Sequence, residues 1–517
     1  MKRFQYITIL LAVAASSIFV SCGSKKQVVT DNGTPINKRE FRGAWIQCVN
    51  GQFQGMGTEA MQKNLTHQLN VLQAEGANAI IFQVRPECDA LYKSDIEPWS
   101  KFLTGRQGQA PSPYWDPLQW MITECHKRNM ELHAWINPYR ALTKSTKDLA
   151  PNHIAAVHPE YCFQYDGLTI LNPAYKECRD YTCKVVADIV SRYDVDGLHI
   201  DDYFYPYPAG GKQLPDLEQY EYYRSHANGT PLTIGDWRRR NVNIFIEQLS
   251  KTIKQTKPWV KFGVSPFGIY RNKKNDSRGS NTNGTQNYDD LYADCLLWDE
   301  KGWVDYTVPQ LYWQIGHKAA DYETLIQWWS EKFTNRPLYI GEDIERTVDN
   351  KDLVNPSQDQ MAAKYRLHEQ CKNVKGTVLW YSRVAVDNKG NYGSRLQQNY
   401  WHYPALQPKM DFIDGKAPKD VTKLKVVKVN GDDVLFWTEP SGKEWNDKAV
   451  KYVVYRFLSG EKENLDDARK IVAITTNNFY KLPAAVKGEK KQKYIYYVTA
   501  LDRLQNESDG VKVKVKM

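Results

Sequence analysis

The sequence has no Cys-x-x-Cys pair and no cluster of His, Cys and acidic residues at ligand spacing, which argues against a zinc site. It also has no glycine-rich phosphate turn. Gly51, Gly55 and Gly57, after the first strand-like run, have the wrong spacing, and Asn50-Gly51 reads as a turn. No metal and no cofactor are therefore expected. Long apolar runs are scarce as well. The run from Ile7 to Val20 is too short for a stable membrane span. A mean hydropathy of −0.62 rules out a polytopic membrane protein. Aromatic residues, by contrast, are abundant: 16 Trp, 33 Tyr and 16 Phe in 517 residues. They suit either a well-filled core or a groove that stacks flat apolar faces such as those of sugars.

The formal charge is +9, which raises the question of nucleic acid. Its location answers it. Residues 1–22 carry +2 and residues 23–40 another +2. Residues 417–517 hold 20 basic and 14 acidic side chains, and the body between is left at −1. A near-neutral body is not that of a nucleic-acid binder. The basic excess sits on the appendages, where it favours an anionic membrane or wall.

The amino end reads as an export signal. Lys2 and Arg3 precede the apolar run, and Phe19-Val20-Ser21-Cys22 closes it. This resembles a bacterial lipobox with Phe19 in place of the usual Leu, which implies lipidation at Cys22 and an anchor in the outer membrane of the cell envelope. A plain secretory signal with an incidental Cys22 is the other reading. Residues 23–40 are polar and without apolar period, as a tether should be. Eight cysteines remain, and one or two disulfides among them are possible without an assignable pairing.

Eight β-rich runs follow: Phe41–Val49, Ala77–Arg85, Glu131–Asn137, Gly197–Tyr205, Lys261–Ile269, Tyr306–Trp313, Pro337–Gly341 and Gly376–Tyr381. Helical patterns alternate with them. Met61, Leu65, Leu69 and Leu72 follow Thr58, and Asp116-Pro117 and Asn172-Pro173 supply cap and first-turn proline. Eight β-then-α units predict an α/β fold, a (β/α)8 TIM barrel over residues 41–403. A doubly wound open sheet is the alternative, but the phosphate turn it usually carries is missing. Helix-to-strand links are short, whereas Ala141–Leu171, Pro206–Gly235 and Asn272–Asn287 are long. Elaboration is thus confined to the carboxyl face, where such barrels hold their active sites. A proline-marked linker spans residues 404–418. The period then changes to two, and residues 419–517, with Trp437 on a strand, predict a small all-β immunoglobulin-like sandwich similar to fibronectin type III modules.

The most informative stretch is Asp196-Gly197-Leu198-His199-Ile200-Asp201-Asp202-Tyr203, the fourth strand. His199 and Asp201 share a face, and two adjacent acids reach the top of an apolar strand. They are costly to bury without work or partners. Glycoside hydrolysis needs two carboxyl groups. The spacing is similar to the strand-four signature of barrel glycosidases of the α-amylase type, which implies Asp201 as nucleophile or base, although an Arg occupies the place of His199 there. On a regular strand Asp202 would point the other way from Asp201. The acid partner is therefore expected from Glu342 or Asp343 after strand seven or from Glu87 or Asp89 after strand two, in the order Glu342, Asp89, Glu87, while Asp305 begins its strand and lies at the wrong end. Substrate contacts are expected from other strand ends: Trp45, Gln83, Arg85, Asp89, Asn137, Tyr139, Arg140, His199, Tyr203, Gln310, Tyr312 and Trp313.

Six blocks in order, Phe41-Arg42-Gly43-Ala44-Trp45, Phe82-Gln83-Val84-Arg85-Pro86, His133 to Arg140, Asp196 to Pro206, Phe262 to Pro266 and Pro309 to Trp313, resemble the glycosyl-hydrolase-like family ten. The resemblance implies a bacterial envelope glycosidase, often lipid-anchored, whose polysaccharide substrate is peptidoglycan strands stripped of stem peptides. A non-catalytic envelope glycan binder on a degenerate barrel is the competing reading.

Overall fold

The computed structural model describes residues 36–146, 148–484 and 491–517. The export signal, Cys22 and the tether up to residue 35 lie outside the described residues.

Eight parallel strands close into a barrel: β1 (Phe41–Ile46), β2 (Ala79–Arg85), β3 (Glu131–Ile136), β4 (Gly197–Ile200), β5 (Lys261–Val264), β6 (Tyr306–Thr307), β7 (Leu338–Asp343) and β8 (Val374–Trp380). Each is followed by a principal helix: α1 (Thr58–Glu75), α2 (Pro117–Lys127), α3 (Lys176–Arg192), α4 (Ile234–Thr256), α5 (Cys295–Lys301), α6 (Tyr322–Lys332), α7 (Gln360–Gln370) and α8 (Ser382–Val386). This is a TIM barrel. Asp116 caps α2, its side chain accepting from Gln119 N at 3.0 Å with Pro117 in the first turn. Asn172-Pro173 does not cap α3. Asn172 instead accepts from Ala174 N in a turn, and the helix starts at Lys176.

Alternation along each strand sorts its side chains. Leu132, Ala134, Leu198, Ile200, Phe262 and Val264 face the helices in one large core. Phe41, Trp45, Ile81, Trp135, Tyr306, Tyr339 and Val378 fill the barrel interior. Phe41 stacks on Tyr339 with ring centroids 4.3 Å apart. The long connection after β3 carries its own antiparallel sheet (Arg140–Leu142, Leu168–Leu171 and Cys162–Tyr165) over the carboxyl rim.

The carboxyl-terminal region forms two antiparallel sheets. β9 (Thr422–Val429), β10 (Asp432–Thr438) and β13 (Phe479–Lys481) make one; β12 (Ile471–Thr475), β11 (Lys451–Leu458), β14 (Lys493–Leu501) and β15 (Val511–Lys516) make the other. Trp437, Tyr452, Val454 and Val498 are packed between them. These sheets cover the amino-terminal end of the barrel. Met410 and Leu504 join the interior cluster from below, Asn129 Nδ2 donates to Ile474 O at 2.7 Å, and Arg503 pairs with Asp194 at 2.9 Å. All eight cysteines among the described residues are free thiols.

Candidate active site

β4 ends at Ile200, so strand alternation no longer separates Asp201 from Asp202. Both carboxyl groups are buried at the carboxyl rim. Asp201 accepts from Trp135 Nε1 at 3.1 Å, from Asn137 Nδ2 at 3.4 Å and from Tyr203 N at 3.3 Å. Asp202 accepts from the Tyr207 hydroxyl and from Gln310. The Arg140 guanidinium lies 3.9 Å from the Tyr203 ring and acts on both carboxylates. Burial, with the Asp202 charge beside it, pushes Asp201 up to about 7. Burial raises Asp202 as well, against the opposing pull of Tyr207, Gln310 and Arg140.

An aromatic wall stands beside the pair. Trp380, at the end of β8, meets Trp45 and Trp135 edge-on, with centroids 6.2 Å away in each case, and stacks on Tyr312 at 6.3 Å. Tyr312 sits within the fields of both Asp202 and Asp343, which together with burial raise its phenol well above the usual range. Gln310 Nε2 donates to Ser265 O at 3.0 Å and so ties β6 to β5. Trp313 packs edge-on against Phe267 at 5.4 Å. A cavity of about 150 Å3 opens beside Arg140 and Tyr203 and runs along Pro206–Ala209. A larger one, about 620 Å3, lies at the opposite end between Asn129, Trp401, Lys451 and Gln505, away from these carboxylates.

Several expected site residues belong elsewhere. Glu342 follows Tyr339 by three positions, and Tyr339 points inward, so Glu342 faces the helices. There it pairs with Lys364 of α7 at 2.6 Å and accepts from Thr347. It cannot serve as the acid partner, and its neighbour Asp343 is the residue on the inner face. Arg85 lies past a register shift in β2 and turns outward into a buried pair with Glu97, 2.7 Å away. Tyr139 packs on Phe245 of α4 at 5.1 Å rather than lining the groove. Asp89 is enclosed, accepting from Gln107 Nε2 at 3.1 Å and Glu87 N at 3.2 Å. Glu87 accepts from Thr143 and Thr146 of the covering loop. Gln83 accepts from Cys48 N at 3.0 Å, holding the end of β1. His199 lies below the pair, in contact with Trp45 and Ser265. Trp135, Trp380, Asp343 and Tyr207 complete the site; the first three stand at strand ends, while nothing in the local pattern singles out Tyr207.

The barrel and its rim of paired acids and indoles are those of a glycosyl hydrolase-like TIM-barrel enzyme. More narrowly, residues 40–357 match the family described as Glycosyl hydrolase-like 10, and the chain belongs to that family. It is similar to the glycosyl hydrolase YngK of Bacillus subtilis, 38% identical over 488 residues that cover 92% of this chain and 94% of the relative. The glycosyl hydrolase DigH of Escherichia coli is 34% identical over 393 residues, covering 71% of this chain and 87% of DigH. Among solved structures, the catalytic domain of β-amylase from Paenibacillus polymyxa aligns with a TM-score of 0.46 at 10% identity, over 71% of this chain and 98% of that one.

Proposed function

We propose that this enzyme hydrolyses peptidoglycan glycan strands lacking stem peptides, from a lipid anchor at Cys22 in the bacterial cell envelope. The observation that carries the catalytic part is the buried Asp201 and Asp202 pair beside Trp380 and Tyr312. Asp201, raised to about 7, keeps a protonated fraction at neutral pH, and that form gives its proton to the glycosidic oxygen as the C–O bond breaks. Asp202, which Tyr207, Gln310 and Arg140 favour in its charged form, either takes a proton from the water that attacks the sugar carbon or attacks that carbon itself, the glycosyl ester then being cleaved by water. This inverts the role that the spacing alone suggests for Asp201. The substrate and the anchor are supported by the sequence resemblance and by Ser21-Cys22 after an apolar run. The seven carboxyl-terminal strands among the described residues, divided three and four, support a fibronectin type III-like reading of that region.

The test is release of sugars from purified, amidase-treated sacculi. Wild-type enzyme should release them and Asp201→Asn should not; release unchanged in Asp201→Asn would remove Asp201 from the chemistry. Strand binding without release by the wild type would favour the non-catalytic binder. Labelled palmitate should enter the wild type and not Cys22→Ala.

A further inference from the structure

A hydrogen-bonded chain runs down the barrel axis beneath the carboxylates. Trp45 Nε1 lies 3.3 Å from His199 Nε2, and His199 Nδ1 lies 3.1 Å from the Tyr306 hydroxyl. The same hydroxyl is 2.7 Å from His133 Nδ1, and His133 Nε2 is 3.0 Å from Glu131 Oε2. The other Glu131 oxygen takes the Lys261 ammonium and, at 3.2 Å, Gln505 Nε2 from the loop after β14. All of these residues are buried. The rings fit because positions 197 and 263 are glycine. A Cβ on Gly197 would strike the His133 ring, and one on Gly263 would overlap Tyr306.

With both imidazoles neutral, the two ends fix the direction of the chain. An indole N–H can only donate and a carboxylate can only accept. His199 Nε2 is therefore an acceptor, and a neutral His199 carries its proton on Nδ1. That proton goes to the Tyr306 oxygen, so Tyr306 donates its own to His133 Nδ1. His133 then carries its proton on Nε2 and gives it to Glu131. Burial, with His133 nearby, holds His199 well below the usual histidine range and thus neutral.

We propose that Glu131, His133 and Tyr306 are positioning residues, which through this one-way chain hold His199 in its Nδ1-protonated tautomer and thereby fix the floor of the active site. The floor is Trp45 and Ser265, both in contact with His199 Nε2, the latter at 3.0 Å. Trp45 packs on Trp380, which packs on Trp135, the donor to Asp201. The Ser265 carbonyl accepts from Gln310, the donor to Asp202. A His199 protonated on Nε2 would face Trp45 with donor against donor and disturb the support of both acids. The proposal rests on the catalytic reading of Asp201 and Asp202.

The test is 15N NMR of the full chain with labelled histidine, the two signals assigned by their loss in His199→Gln and His133→Gln. The wild type should show His199 protonated on Nδ1 and His133 on Nε2. In Tyr306→Phe the Nδ1 proton has no acceptor, His199 should become a tautomer mixture, and kcat should fall roughly five- to ten-fold at nearly unchanged KM. Wild-type His199 protonated on Nε2 or on both nitrogens would overturn the proposal, as would wild-type kcat in Tyr306→Phe. The wild-type spectrum decides the tautomers even if Tyr306→Phe does not fold. Failure of the wild type to cleave strands counts against the catalytic reading, whereas the wrong tautomer in an active enzyme counts against the chain alone.

Discussion

The two ends of the barrel both enclose carboxylates and treat them in opposite ways. At the lower end Glu131 meets Lys261 and His133, and Asp196 meets His126 at 2.8 Å and the backbone N of Leu132. Those partners hold both acids below the usual carboxylate range despite burial. At the upper end Asp201 and Asp202 stand side by side with the Arg140 cation acting on both, and both are raised. Glu131 and Asp196 are given counter-ions, whereas Asp201 and Asp202 are left under-compensated. Glu342 is the mixed case, raised by burial although it has a counter-ion. It lies level with the active rim, but it faces Lys364 and is part of the scaffold.

The contrast can be broken at either end. The largest effect should come from Asp202→Asn, which removes one of the two groups proposed to react. We expect kcat to fall about 10²–10⁴-fold with no loss of thermal stability. A stability loss matching the activity loss would make Asp202 structural. Next is Lys261→Met, which strips Glu131 of its cation. Stability should drop by about 3–5 kcal/mol in denaturant unfolding, since a buried charge is left uncompensated. Smallest is Trp380→Ala, which removes a platform for a sugar face. KM should rise about five-fold with kcat nearly unchanged; a pure loss of kcat would assign Trp380 to holding Trp135 instead.

Much of this was legible in the sequence. The six blocks and the uneven loop lengths located the barrel and its working face, because strand patterns and long connections are local features. The strand ends were overread. Gly197–Tyr205, Lys261–Ile269 and Tyr306–Trp313 stay β-rich after the continuous strands end at Ile200, Val264 and Thr307. That overreading hid the Asp201 and Asp202 pair, since only a continuing strand would point them apart. The choice of Glu342 over Asp343 was a matter of parity, and Tyr339, a ring that packs inside the barrel, sets it. Arg85 and Tyr139 were misplaced for a different reason. A register shift near the end of β2, which leaves no sequence signal, re-aims Arg85, and the turn at Asn137-Pro138, marked by that dipeptide, re-aims Tyr139.

Sign and direction separate the two ends in titration. A raised Asp201 favours the fold while it is protonated, and that contribution is lost as pH rises toward and through about 7. A lowered Glu131 contributes above its unfolded value and is lost as pH falls through its folded one. The most direct test is therefore a 13C NMR carboxyl titration of the enzyme, with Asp201 assigned by its absence in Asp201→Asn and Glu131 by its absence in Glu131→Gln. The account predicts that Asp201 titrates near 7 and Glu131 below the ordinary value of about 4.3. Asp201 titrating at or below about 4 would contradict it.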